Sequence, residues 1–141
     1  MAKLKIITDQ EFLRKQSKPV TEFGERLNQL LDDMHETMLA ENGIGLAAPQ
    51  VGVLSRVCIV ADLELVNPTI TNIKGGKKGE EACLSIPDTP VMVKRPRSIV
   101  VRAFDRDGKE FTIPLKGLLA VVACHEIDHL DGVLITDKCE A

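Results

Sequence analysis

The stretch His125-Glu126-Ile127-Asp128-His129 combines two potential metal ligands with a carboxylate that can transfer protons. Two histidines four residues apart share one face of a helix, so both rings can bind the same metal ion. Glu126 would lie beside that ion, where it can move a proton to or from a water molecule. The alternative is an amphipathic helix whose two histidines bind nothing.

A hydrolytic metal site needs a third protein ligand, and two histidines do not supply it. The metzincin pattern would place a third histidine at position 135, which is Ile135, and a thermolysin-like pattern would need a later glutamate, for which Glu140 alone remains. The other histidine, His35, is expected to be a surface or boundary residue. The best candidate is therefore a cysteine, and the chain has Cys58, Cys83, Cys124 and Cys139.

The composition predicts one globular domain rather than a membrane protein. The chain has 141 residues, of which 44% are hydrophobic and 28% are charged, and this is enough to bury a core. No apolar run approaches a membrane span, and the N-terminus does not read as a secretion signal. The net charge of -3 and the lack of a basic cluster along the sequence disfavour nucleic acid as the main ligand. The four cysteines are expected to be reduced thiols.

The helix that carries the two histidines is predicted to run from Leu118 to Asp131, because no Gly or Pro interrupts it. One turn before His125, the residues Leu118, Val121 and Val122 fall on or near the same face. An apolar wall is therefore expected beside the metal. Cys124 is rotated by about 100° from His125 on a helix, which favours a packing role for its side chain.

Two more helices and several strands are predicted to surround this helix. A short helix capped by Thr8 or Asp9 should run through Lys15 and be terminated by residues 17–19. A second helix should present the apolar residues from Phe23 to Met38 and stop at Asn42. Residues 74–79, rich in Gly and Lys, should be a solvated turn. Strands are predicted at 56–61, 65–70, 91–94, 98–104 and 110–115. The strand at 65–70 should be short, with an edge or a bulge at Pro68. A hairpin is expected at 105–108, and residues 133–135 should form a short strand or turn.

Two further segments have a composition that is unusual for residues with a purely structural role. Residues 43–52 are small and apolar, which allows close approach of the backbone to a ligand or another chain, although a helix C-cap followed by a tight loop is also compatible. Gln50 is the side chain in that segment with both a donor and an acceptor. Glu81 is a carboxylate beside Cys83 in an otherwise apolar segment. Cys58 is expected to be a core residue and Cys139 to be inert.

Three motifs together, 43–50 (GIGLAAPQ), 81–85 (EACLS) and 125–129 (HEIDH), resemble in order and spacing those of the peptide deformylases. The similarity covers nearly the whole chain. It implies a single catalytic domain over residues 1–141, with an α+β fold in which antiparallel β-sheets pack around a central metal-binding helix. It also implies hydrolytic removal of the N-formyl group from the N-terminal methionine of nascent polypeptides, with release of formate.

The resemblance implies a role for each matching residue. The metal ligands would be Cys83, His125 and His129. Glu126 would be the general acid and base, and Gln50 with the backbone N–H of Leu84 would bind the oxyanion. Arg95 would pair with Glu81 and so fix the loop that bears the cysteine ligand. The substrate-binding residues would be Gly43, Ile44, Gly45, Leu118, Val121 and Val122.

The resemblance further implies iron(II) as the resident metal, with zinc, nickel or cobalt able to occupy the site, since the ligand set alone does not choose among them. The expected partner is an N-formyl-Met peptide or nascent chain, without direct nucleic-acid or membrane binding. A monomer is expected, in the cytoplasm, a host cytoplasm or an organelle stroma or matrix. The chain departs from the family at Ala82, where Gly is usual, in a shorter segment after Asp62, and as a short form lacking the C-terminal helix.

Two other functions remain compatible with the residues. A small metalloprotease or another amidase would use the same two histidines, but it lacks its usual third His or Glu ligand. A non-catalytic domain could hold structural zinc through three of these residues, but structural sites usually close with a fourth protein ligand. An exchangeable water on the metal would separate a catalytic site from a structural one.

Overall fold

The structure is a computed structural model that describes residues 2–139. Within these residues the fold is α+β, with a five-stranded sheet, a separate two-stranded sheet and three α-helices. The helices are α1 (Gln10–Leu13), α2 (Glu25–Ala40) and α3 (Leu118–Leu130), with 3-10 turns at Ala48–Val51 and Ile135–Asp137. The strands are β1 (Gly45–Ala47), β2 (Val57–Val60), β3 (Leu63–Lys74), β4 (Lys77–Cys83), β5 (Ile86–Arg95), β6 (Ser98–Phe104) and β7 (Glu110–Lys116).

The five-stranded sheet has the order β1-β2-β3-β6-β7 with antiparallel neighbours, and β4 pairs with β5 alone. Strand β2 is buried at every position because both faces of the sheet are covered. Cys58 and Val60 belong to the apolar cluster that includes the inner side of α3. Val57 and Ile59 belong to the cluster that includes the buried residues of α2. The sheet is therefore the middle layer, and α3 is held rigidly against it.

Helix α3 confirms the predicted helix, and it ends at Leu130, one residue before the predicted end. Helix α1 is shorter than predicted, and its N-cap is Asp9, whose side chain accepts a hydrogen bond from the N–H of Glu11. Phe23 lies outside α2 and packs its ring against Phe104, with centroids 6.2 Å apart. No helix among the described residues is long and apolar enough to cross a membrane.

The strand predicted at 65–70 is longer than expected, and of the two alternatives at Pro68, an edge or a bulge, the structure shows the bulge. Strand β3 has twelve residues and lies between β2 and β6. The bulge at Pro68 is confirmed, because the register with β6 shifts between Val66 and Thr69, and Asn67 has a positive φ of 52°. A bulge removes the ladder bond that proline could not donate, so the strand continues through it.

Two connecting segments also differ from expectation. The segment 43–52 contains strand β1 and a 3-10 turn rather than a plain loop, since Gly45, Leu46 and Ala47 pair with β2. The solvated turn predicted at 74–79 is tighter, because β3 runs to Lys74 and β4 begins at Lys77. Of the short strand or turn predicted at 133–135, the structure shows the turn, because a 3-10 turn begins at Ile135. The hairpin at 105–108 joins β6 to β7 as predicted.

Candidate active site

Helix α3 and the end of strand β4 bring three possible metal ligands together. The four-residue spacing puts the rings of His125 and His129 on one face of α3, with centroids 5.2 Å apart. Cys83 is the last residue of β4, and its Sγ lies 3.3 Å from His129 Nε2. One ligand atom from each residue lies within 4.8 Å of the other two. Ligand bonds of about 2.0–2.3 Å to one ion fit this separation.

The charges around these ligands also suit a divalent cation. Burial opposes a charge on His125, but the nearby Glu126 carboxylate and Cys83 outweigh it and raise the pKa of His125 to about 10. Surroundings that favour a proton on this ring favour a metal cation there as well. Burial, with His125 and Arg95 nearby, lowers the pKa of His129 to about 3, which keeps that ring neutral as a ligand must be.

Glu81 and Arg95 fix the orientation of His125. A hydrogen bond of 3.1 Å joins His125 Nδ1 to Glu81 Oε1. Arg95 donates from Nε to Glu81 Oε2 at 2.9 Å and from Nη2 to Oε1 at 3.0 Å, as predicted for this pair. Burial by itself would raise the pKa of Glu81, but the hydrogen bonds from His125 and Arg95 lower it to about 2. Because Nδ1 is engaged by Glu81, Nε2 is the ring nitrogen of His125 that is available to a metal.

Gln50 faces the same site through its amide nitrogen. Its Oε1 accepts the backbone N–H of Ala47 at 3.0 Å, and this bond turns the NH₂ end the other way. The Nε2 atom lies 3.6 Å from Cys83 Sγ and 3.3 Å from Ser85 Oγ. Leu84 and Ser85 form the two-residue turn that joins β4 to β5. An amide donor and a turn backbone therefore lie beside the cysteine.

Glu126 is a second buried carboxylate of the site, besides Glu81. Its Oε1 has no hydrogen-bond partner among the described residues. Burial raises the pKa of Glu126 to about 7, although His125 and Arg95 act in the opposite direction. A carboxyl group with a pKa near the working pH can both accept and donate a proton.

Gly45 allows Glu126 to occupy its position against the sheet. A Cβ atom on Gly45 would lie 2.6 Å from Val122 Cγ1 and 2.7 Å from Glu126 Oε2. Both distances are far below van der Waals contact, so no other residue fits here without moving the carboxylate. The glycine therefore serves the packing of Glu126, which the sequence did not reveal.

A cavity of about 640 Å³ opens beside these residues. The cavity is lined by buried residues such as Val122 and by exposed residues such as Ile44 and Leu118. Ala82 also lines it, in an extended strand, and is not among the residues with positive φ. The residues predicted for the site line this cavity, except His129 behind it: Gly43, Ile44, Gly45, Gln50, Cys83, Leu84, Leu118, Val121, Val122, His125 and Glu126.

Sequence reasoning missed two side chains that hold this arrangement. Asp128 accepts a hydrogen bond of 2.5 Å from Arg95 Nη1, so Arg95 connects α3 to Glu81. Ser85 Oγ lies beside the amide of Gln50. Asp128 is one of the variable positions of the histidine motif, and its carboxylate beside a ligand was a usable signal. Nothing in the sequence distinguished Ser85 from an ordinary turn residue.

Comparison with known proteins decides which family this geometry represents. The family model described as polypeptide deformylase matches residues 3–141. The chain belongs to this family. The peptide deformylase of Caldicellulosiruptor bescii is 53% identical over 98% of this chain and 86% of its own length. That of Acetivibrio thermocellus is 56% identical over 91% of this chain and 78% of its own length.

Solved structures of the polypeptide deformylase family have the same fold. The peptide deformylase from Legionella pneumophila superposes with a TM-score of 0.94 at 43% identity, covering 99% of this chain and 87% of that one. The one from Thermotoga maritima superposes with a TM-score of 0.93 at 38% identity, covering 100% of this chain and 99% of that one. These matches confirm the predicted family and the α+β class.

Proposed function

We propose that this chain removes the N-formyl group of nascent polypeptides with the help of a divalent metal held by Cys83, His125 and His129. The deformylase activity follows from membership of the family, which is metal-dependent. The observation that supports the residue assignment is the cluster of these three side chains beside a cavity and a buried carboxylate. Among the described residues this cluster has no fourth ligand, which favours a catalytic site over a structural one.

Glu126 is proposed to carry the proton in this reaction. Cys83, His125 and His129 would hold a divalent ion, which would supply a water of lowered pKa, about 7, and polarise the formyl carbonyl. Glu126, with its own pKa near 7, accepts a proton from the attacking water. It then gives a proton to the leaving amine as the C–N bond of the formamide breaks. The products are formate and a free N-terminus.

Gln50 and the backbone N–H of Leu84 are proposed to stabilise the charge that develops on the formyl oxygen. The amide of Gln50 is held by Ala47, so its NH₂ group needs no reorientation during the reaction. Strand β4 ends at Cys83, so the Leu84 peptide directly follows this proposed ligand. Both donors would then lie close enough to the attacked carbonyl group to donate hydrogen bonds to its oxygen.

The methionine side chain is proposed to occupy the apolar part of the cavity. Strand β1 is the edge of its sheet, so its free side can pair with an extended substrate backbone near Gly45. The residues assigned to substrate binding are Gly43, Ile44, Gly45, Leu118, Val121 and Val122. The substrate would be an N-formyl-Met peptide or a nascent chain, bound by a monomer in the cytoplasm or another compartment where translation takes place.

Iron(II) is the proposed resident metal, with zinc, nickel or cobalt able to replace it. A ferrous centre with a thiolate ligand is sensitive to oxygen, because both the metal and the thiol can be oxidised. Protein purified anaerobically should contain iron, and the iron form should lose activity in air while the nickel form persists. Equal lifetimes of the two forms in air would count against iron as the sensitive species.

The deciding assay measures formate released from a formyl-Met-Ala-Ser peptide by anaerobically purified, iron-loaded protein. We expect formate and free Met-Ala-Ser in equal amounts, and little change in the unformylated peptide. Cleavage of internal peptide bonds as the main activity would instead favour a metalloprotease. A bound metal without an exchangeable water, together with no formate, would favour a structural site.

A further inference from the structure

One end of the molecule assembles positive charge that is dispersed along the sequence. The basic end comprises six exposed residues: Lys74, Lys77, Lys78, Lys94, Arg97 and Lys116. They come from the β3–β4 turn, from the β5–β6 turn and from the end of β7. The chain as a whole has a net charge of -3, so the remainder carries nine more negative than positive charges. The distribution is strongly polarised even though the total charge is not.

Strand register brings these cations side by side. Lys74 on β3 and Lys116 on β7 are both paired with Ser98 of β6, so the three residues form a row across the sheet. A cleft of about 330 Å³ lies along this row. In the two-stranded sheet, Lys78 is directly opposite Lys94. Two like charges in opposed positions destabilise a sheet, so this pair indicates a surface kept for an anion.

The glycine turn brings the other cations to the same surface. A Cβ atom on Gly75 would lie 3.2 Å from the Arg97 side chain, and one on Gly76 would lie 2.8 Å from Lys94 Cε. Both long side chains therefore pack over the turn between Lys74 and Lys77. A turn with larger residues would push these charged groups away.

The basic end has no acidic partners. Within residues 2–139, none of its six side chains forms an ion pair. The sequence has no Asp or Glu between Glu64 and Glu80, between Asp88 and Asp105, or between Glu110 and Glu126. Among the twelve other cations, seven form ion pairs within the described residues, as Arg14 does with Asp137 and Arg106 with Glu64. The charge at the basic end is therefore available to a partner.

We propose that the basic end binds the phosphate backbone of RNA. Lysine-rich surfaces with hydroxyl and amide groups, such as Ser98 and Asn72 beside the cleft, suit phosphate oxygens. Protein interfaces instead rely on buried aromatic anchors, and the basic end contains none. The choice of RNA among polyanions rests on the proposed function, because nascent polypeptides emerge from translation machinery rich in RNA. The net charge of -3 gave no expectation of direct nucleic-acid binding, because a total charge does not report the local excess of positive charge at the basic end.

The position of the basic end fits a role in delivering the enzyme to its substrate. Lys116 is followed by Gly117 and then by Leu118 of α3, which lies at the exposed edge of the cavity. Strand β4 runs from Lys77 at this end to Cys83 at the metal site. An RNA surface bound here would leave the cavity mouth open, because the lining residues of the two sites are different.

The test measures fluorescence anisotropy of a short labelled RNA hairpin with the iron-loaded full chain at increasing salt. If all six cations contact phosphates, affinity should fall by about 10³-fold between about 50 and 200 mM salt. The double variants Lys74→Gln/Lys116→Gln and Lys78→Gln/Lys94→Gln should each reduce the slope of log K against log salt by about 1.5–2. Lys5→Gln/Lys109→Gln removes the same charge from exposed sites elsewhere and should leave the slope unchanged.

Formate release from a formyl-Met peptide is measured on the same proteins. It should be unchanged in every lysine variant, which also shows that they fold. Absence of formate release in the unmodified protein would refute the proposed function and leave the RNA result to be judged by itself. No hairpin binding at low salt, or equal weakening by the control variant, would refute the RNA proposal. So would equal or tighter binding of polyglutamate or phosphatidylglycerol vesicles, since the partner would then be another polyanion.

Discussion

Replacing Gly45 by alanine should inactivate the enzyme by displacing Glu126 rather than by emptying the metal site. The added Cβ would lie 2.7 Å from Glu126 Oε2, 3.0 Å from its Cγ and 2.6 Å from Val122 Cγ1. Ordinary contact distances are about 3.5–4.0 Å, so the carboxylate must move by roughly 1 Å. Misplacement of a catalytic group by that amount costs about 10²-fold in rate.

The same substitution should lower stability to a limited extent. Overpacking a close-packed interior costs about 1–3 kcal/mol, and for a domain of this size each kcal/mol lowers Tm by about 2–4 °C. The metal should remain, because the atoms that the new Cβ would meet belong to Val122 and Glu126 and not to Cys83, His125 or His129. We therefore expect kcat to fall by about 10²-fold with an unchanged metal content.

Gly79→Ala is the matched control, since a Cβ on this strand glycine would meet nothing within 4 Å. It should keep kcat, Tm and metal content close to those of the unmodified protein. Formate-release kinetics, metal analysis and thermal unfolding of the three proteins test this reasoning. An activity of Gly45→Ala within about two-fold of the unmodified protein would show that Glu126 does not need this space. Loss of metal together with activity would show that the clash spreads to the ligands.

Other substitutions separate the roles of the remaining site residues. Glu126→Gln should keep its metal and lose about 10²-fold or more in kcat, and loss of metal by analysis would mean that this residue is structural or a ligand. Gln50→Ala should also keep its metal and lose roughly 10²-fold, and an unchanged kcat would remove it from the oxyanion site. Because folding lowers the pKa of Glu81 to about 2 from 4.5, its ionised form stabilises the fold fully above pH 4.5, and this stabilisation is lost as pH falls toward 2. Unfolding in denaturant with excess chelator should therefore show Glu81→Gln less stable by on the order of 3 kcal/mol at neutral pH, with the difference shrinking below pH 4.5, whereas a difference independent of pH would contradict the ion pair. Ala82→Gly should change KM more than Tm, because Ala82 lines the cavity without a positive φ, and a large gain in Tm with constant KM would point to relieved strain instead.

The parts of the site that lie close in sequence could be predicted from the sequence. The spacing of His125 and His129 converts directly into one helix face, and the uninterrupted apolar run around them predicts α3 to within a residue of its end. The choice of Cys83 among four cysteines came from the family resemblance and not from spacing, because nothing local marks which strand will end beside α3. The length and central place of strand β3 could not be predicted for a related reason. Pro68 was interpreted as an edge or bulge signal, and only the pairing with β6 shows that a bulge accommodates it within a central strand.

Contacts that depend on register between distant strands were invisible to reasoning along the chain. Arg95 meets Asp128 across 33 residues, and Gln50 meets Ser85 across 35. The basic end has the same origin, since the cations at 74–78, those at 94–97 and Lys116 are separate in the sequence and only the fold brings them together. Strand pairing places Lys78 opposite Lys94 and sets Lys74 and Lys116 on either side of Ser98. Net charge alone does not describe a surface, because the fold determines which residues share that surface.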